Sequence, residues 1–209
     1  MPHADPTALP ARRPRYDLDL LVSVSARVFN ERGYDGTSME DLSRATGLAK
    51  SAIYHHTAGK EQLLRLALDR AVVPLFAVAE ESLARQERAV GRLRHLVTGQ
   101  VGLLIDALPY VSLLLRVQGS TETGRWALRQ RRAFDRIVAD LVAEATAEGD
   151  LEPGPDPRLV SRLLSGMVNS IAEWYQSTDD EDLTQARREE LADAVLRMAF
   201  EGLRPGARA

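Results

Sequence analysis

The sequence predicts an all-α fold of about nine helices, three in an N-terminal helix-turn-helix head and six in a larger body. Three observations carry this. Beyond Lys60, apolar residues recur at helical spacing almost to the C-terminus, with no convincing period-2 strand. Between Gly33 and Leu64 lie a short helical run, a glycine stop, a second short run and the start of a longer one. The body also carries helix-start chemistry, such as Asp156-Pro157, a capping residue followed by proline at the first helical position.

Taken in order, an amphipathic first helix ends at Phe29-Asn30-Glu31-Arg32-Gly33. Thr37 and Glu40 have capping-box spacing, which starts the second helix at Ser38 and turns Met39, Leu42 and Ala45 inward. Gly47 supplies the left-handed residue that ends it. The third helix runs from Lys50 to His55 or His56. Ile53 packs inward, and Lys50, Ser51, Ala52, Tyr54 and His55 stay outside. Its small and polar first residues suit entry into a major groove. The fourth helix is expected from Lys60 toward Gln86, with a kink or break near Ala71 because Pro74 removes an amide and crowds the preceding turn. A fifth spans Ala89 to Ala107, Pro109 opens a sixth, and a seventh runs from Glu122 to Glu148. The eighth starts at Asp156-Pro157, and Thr184 caps a ninth that reaches Leu203.

Composition excludes several function classes. The chain has 209 residues, 44% of them hydrophobic, which suffices for a packed core. It lacks cysteine, so disulfides, thiolate metal sites and cysteine nucleophiles are out, and a cytoplasmic location is the simplest expectation. No apolar run approaches the ~20 residues needed to span a bilayer, and no signal core follows the N-terminal arginines. Neither membrane nor cofactor is expected, and no metal or catalytic constellation stands out. His55 and His56 adjoin the third helix's outer face, and no histidines stand i, i+4 on one helix. Net charge is −3, yet from Leu42 to Lys60 there are basic residues (Arg44, Lys50, Lys60) and no acidic one. The two lysines of the chain, Lys50 and Lys60, both lie there, as a phosphate-tracking surface requires.

At these residues the sequence resembles the TetR family of bacterial transcriptional regulators. The likeness runs from about Leu18 to Leu64 through Phe29-Asn30-Glu31-Arg32-Gly33-Tyr34, Gly36-Thr37-Ser38, Gly47-Leu48, Ile53-Tyr54-x-His56 and Lys60-Glu61-x-Leu63-Leu64. It implies that Thr37, Tyr54 and Lys60 contact phosphates and that Lys50, Ser51, Ala52 and His55 face base edges, with Arg44 available for either task. It also implies a TetR-like C-terminal ligand-binding and dimerisation domain. Two positions depart from the family pattern. Ala49 stands where a Ser or Thr usually caps the recognition helix, a loss of about 1 kcal/mol. Thr57 stands where an aromatic anchor is usual.

The expected organisation is a flexible basic arm over 1–15, a DNA-binding domain over 16–62 and a ligand-binding and dimerisation domain over 63–209. The arm, with Arg12, Arg13 and Arg15, has two open readings: a minor-groove contact, or a tail whose charges do little. The eighth helix (Leu159, Val160, Leu163, Leu164, Met167, Val168, Ile171, Trp174 and Tyr175, with Gly166 and Ser170 four apart) and the ninth (Leu191, Val195, Met198, Ala199) present apolar stripes that fit either a dimer mate or packing within one subunit.

For a ligand pocket, Tyr110, Trp126, Phe134, Asn169, Glu173 and Trp174 are the aromatic or polar residues on otherwise apolar segments. Arg125, Arg129, Arg132 and Arg136 form one stripe on the seventh helix. It reads as a solvated face rather than a clamp for a phosphorylated ligand, because it points away from Trp126 and Phe134. Segments around Pro109–Arg116 and Thr121–Leu128 are similar to regulators associated with phenylacetate degradation, and Glu173-Trp174-Tyr175 is similar to acyl-coenzyme-A-responsive TetR members. These likenesses imply a coenzyme A thioester, such as phenylacetyl-coenzyme A, as effector. The expected function is a homodimeric repressor released from a palindromic double-stranded DNA operator by a small hydrophobic or acyl-CoA-type ligand. The alternative is an activator, or a regulator controlled by a partner without a small molecule.

Overall fold

In a computed structural model, which describes residues 15–175 and 181–202, the described residues form nine α-helices and no strand. They are α1 (Arg15–Arg32), α2 (Met39–Thr46), α3 (Lys50–His56), α4 (Lys60–Ala84), α5 (Ala89–Asp106), α6 (Leu108–Arg116), α7 (Glu122–Ala147), α8 (Pro157–Trp174) and α9 (Glu181–Phe200). The arm residues 1–14 lie outside the described residues, and Arg15 already belongs to α1. The expected division at 62/63 falls inside α4, an element common to head and body.

Three local expectations are corrected. The cap of α2 is Ser38, whose hydroxyl accepts from the Asp41 amide at 3.1 Å while the Asp41 carboxylate accepts from the Ser38 amide at 2.9 Å. The capping box sits one residue later than Thr37 and Glu40 because Thr37 turns inward and donates its hydroxyl to the Gly33 carbonyl at 2.7 Å. Second, the break expected near Ala71 is absent, since α4 continues through Pro74 without interruption. Proline removes one backbone hydrogen bond, worth about 1 kcal/mol net. Burial of Leu63, Leu64 and Leu68 on one side and Ala79 on the other holds the helix on both sides of it. Third, α9 starts at Glu181, so Thr184 lies within the helix and does not cap it.

α5 is the central element, touching α4, α6, α7, α8 and α9. Gly99 lets α4 approach it closely, for a Cβ there would lie 2.4 Å from Val78 Cγ1. α1 joins head to body, packing on α2, α4 and α6. One apolar cluster therefore runs from Leu21, Leu42 and Ile53 of the head through Leu68 and Leu104 to Ile171 and Leu191. A second, around Leu93, Leu96, Phe134 and Leu164, fills the body between α5, α7 and α8.

The stripe on α9 divides. Leu191 and Val195 are buried in their own subunit, where α9 packs chiefly on α5, and Met198 is exposed. On α8, Leu164, Val168, Ile171 and Tyr175 are buried, whereas Leu159, Leu163 and Trp174 are exposed together with Gly166 and Ser170. Among the described residues no single helix is long and apolar enough to cross a membrane.

Candidate nucleic-acid interface and ligand cavity

α2 and α3 are joined by Gly47 at φ 69°, a left-handed turn that only glycine adopts without strain, and Leu42 and Ile53 beneath it are fully buried. This burial turns the opposite face of α3 outward. Lys50, Ser51, Tyr54 and His55 are exposed and Ala52 is half-buried. The Lys50 ammonium pairs with Glu40 of α2. That hydrogen bond, more than the charge itself, holds the Glu40 carboxyl below its usual range. Arg44 is exposed and lies 3.5 Å from Asp41, which also pairs with Arg32 at 3.0 Å. The Ser38 cap bonds keep Asp41 ionised by lowering its pKa, so the end of α1 is fastened to the start of α2.

Two residues assigned to phosphates point elsewhere. Thr37 is buried with its hydroxyl engaged, which withdraws it as a side-chain contact. The Lys60 ammonium donates to the carbonyls of Tyr34 and Thr37 at 2.8 Å each and sits 4.2 Å from the centre of the Tyr34 ring. These bonds use two of the ammonium's three donors, so Lys60 braces the α1–α2 turn and keeps one donor for another acceptor. The uncapped start of α3 is observed directly, since Ala49 makes no side-chain cap bond. Thr57 substitutes polar contacts for an aromatic anchor. It is buried, and its hydroxyl oxygen lies 3.1 Å from both the Gly59 carbonyl and Gln62 Oε1 at the start of α4.

The body holds a partly open cavity of about 360 Å³. Leu75, Leu103, Leu104, Val111, Leu114 and Phe134 supply an apolar wall, and Gln100, Arg131, Asp135, Arg162, Ser165 and Asn169 supply polar groups. Of the residues singled out by sequence, Phe134 and Asn169 line it. Tyr110, Trp126, Glu173 and Trp174 do not. Tyr110 packs against the main core, and Trp126 stacks beneath the Arg65 guanidinium at 3.6 Å. Glu173 borders a neighbouring surface pocket, and Trp174 is exposed.

Some of the missed polar residues carried a readable signal. Gln100 interrupts the buried face Leu93, Leu96, Val97, Val101, Leu104 of α5, and Arg131 interrupts Ala127, Phe134, Val138, Leu141 of α7. Burial raises the Asp135 carboxyl above its usual range, against the lowering influence of Arg131, the Ser165 hydroxyl at 3.5 Å and Arg162.

Three contacts tie the head to the helices around this cavity. Asn30 of α1 donates to the Pro109 carbonyl of α6 at 2.7 Å. Glu61 of α4 accepts from the Thr123 amide of α7 at 3.0 Å, and this bond is the main reason its pKa is lowered. Arg65 of α4 covers Trp126 of α7. α4 also contributes Ala71 and Leu75 to the cavity wall, so one rigid element touches both the reading head and the cavity.

Comparison with known proteins agrees with this layout. Residues 21–67 match the family "Bacterial regulatory proteins, tetR family", and residues 86–203 match "Tetracyclin repressor-like, C-terminal domain". SCO3833, a TetR regulator from Streptomyces coelicolor A3, shares 51% identity over 88% of this chain and 91% of its own, with a TM-score of 0.83. The HTH-type transcriptional repressor ComR of Escherichia coli K12 is 34% identical over 77% of this chain and 80% of its own length. AibR, solved in complex with isovaleryl coenzyme A and operator DNA, is 26% identical over 88% of this chain and 98% of its own, with a TM-score of 0.72. With both matched segments in their expected places on one fold, the chain belongs to the TetR family of DNA-binding transcriptional regulators, which are not enzymes.

Proposed function

We propose that the protein is a homodimeric repressor that leaves a palindromic operator when an amphipathic small molecule, of the acyl-coenzyme A type, fills the body cavity. The observation that carries this reading is the cavity itself, a partly open space of mixed apolar and charged lining to which α4, α5, α6, α7 and α8 all contribute. AibR, similar over most of the chain, was crystallised with isovaleryl coenzyme A and operator DNA, which supports the ligand class. The exposed stripe of Leu159, Leu163 and Trp174 on α8, with Gly166 and Ser170 between them, supports pairing with a second copy.

In this reading Lys50, Ser51, Ala52 and His55 face base edges, and Tyr54 and Arg44 contact phosphates. A ligand that fits one separation of the two heads better than another shifts the population by its difference in affinity. The links from α7 to Glu61 and Arg65 pass that difference to the start of α4.

The test is fluorescence anisotropy of a labelled duplex taken from upstream of the gene, titrated with protein and then with phenylacetyl-coenzyme A or free phenylacetate. Salt-sensitive binding reversed by the thioester alone is the expected result. Binding that neither compound disturbs removes this effector, and failure to bind the duplex removes autoregulation.

A further inference from the structure

Four arginines meet in a groove of about 320 Å³ between α7 and α8. Arg132 and Arg136 stand one turn apart on α7, and Arg158 and Arg162 stand one turn apart on α8, with Asp135 and Ala139 between them. Each pair spans about 6 Å along its helix, so the groove is edged by two ladders of forked donors. Among the described residues none of the four has an acidic side chain within ion-pair distance, although ion pairs engage many other arginines there. Four guanidinium groups against one carboxylate repel one another until an anion joins them. Asp135 and Arg162 line both this groove and the body cavity, so the two spaces adjoin.

We propose that the groove binds the phosphate-bearing end of an amphipathic ligand whose apolar end lies in the cavity. The inference rests on the reading of that cavity as the effector site, and it assigns the part of the molecule that stays near solvent. A single carboxylate would leave most of the donors unmatched. A diphosphate or several phosphates offer the charge and the oxygen atoms that forked guanidinium groups engage in pairs. The seventh-helix stripe therefore divides by function. Arg132 and Arg136 join the α8 arginines, and Arg125 and Arg129, exposed on the same helix, do not line the groove.

The test is isothermal titration of the full chain at low salt with phenylacetyl-coenzyme A, coenzyme A and phenylacetate, on wild type, Arg132→Ala/Arg158→Ala and Arg125→Ala/Arg129→Ala. Losing two charge-assisted hydrogen bonds weakens the thioester and coenzyme A by about a hundredfold in the first variant. The second variant binds like wild type, and any phenylacetate binding is the same in all three. Lysines at positions 132 and 158 recover part of the affinity. If Arg132→Ala/Arg158→Ala keeps wild-type affinity for the thioester, or if neither phosphate-bearing compound binds wild type, the groove assignment is wrong. Operator release, read by anisotropy on the same samples, separates the two ideas. A thioester that binds through the groove yet leaves the operator bound overturns the effector reading alone, and release by phenylacetate without phosphate-dependent binding overturns the groove alone.

Discussion

Individual side chains show how far residue type determines role. Lys50 and Lys60 are the two lysines of the chain and lie ten positions apart, yet one is exposed on α3 and the other braces backbone carbonyls. Residue type and spacing marked both as phosphate or base contacts. The carbonyls of Tyr34 and Thr37, brought together by the α1–α2 turn, take two of the three donors of Lys60. Lys50 in turn is held by Glu40, an exposed partner that, if Lys50 contacts DNA as proposed, competes for it. Replacing Glu40 by Gln should tighten operator binding about two- to fivefold at low salt, the worth of an exposed ion pair, with the gain fading as salt rises. Anisotropy at several salt concentrations measures this, and an unchanged affinity at low salt would show that Glu40 does not restrain Lys50.

At the scale of the element, helix existence was largely legible, because capping residues, glycine stops and the 3.6 period act within a few residues of one another. Asp156 caps α8 and Thr121 caps α7 by side-chain bonds to nearby amides, both readable from local chemistry. The box on α2 was displaced by one residue because an inward hydrogen bond captured Thr37, a preference that spacing cannot reveal. Ala49 leaves the start of α3 without a side-chain acceptor. Ala49→Ser should therefore stabilise the protein by about 1 kcal/mol. A urea midpoint that does not move would mean that those amides are already satisfied in another way. In the proposed reading α4 is the element on which regulation turns, because its start holds Glu61 and Arg65 against α7 and its middle walls the cavity.

Over the whole molecule, the stripe on α8 is an apolar surface that the described residues leave exposed. The proposed dimer makes a direct prediction: Leu163→Asp places a charge in the middle of that stripe, so sedimentation should show monomers and affinity for a two-half-site operator should fall steeply. A variant that stays dimeric would move the interface elsewhere. α9 shows why such faces resist assignment from sequence. Its Leu191 and Val195 have the same pattern as the α8 stripe, but α5 lies against them and covers them.

The sequence by itself determined the helices, the turn between α2 and α3, and which α3 residues face outward, because each depends on neighbours within a turn or two of chain. Tertiary structure alone decided which polar residues share the cavity and that Arg158 and Arg162 of α8 face Arg132 and Arg136 of α7. Those meetings depend on the relative rotation and translation of packed helices, set by the summed shape of many buried side chains rather than by any local signal.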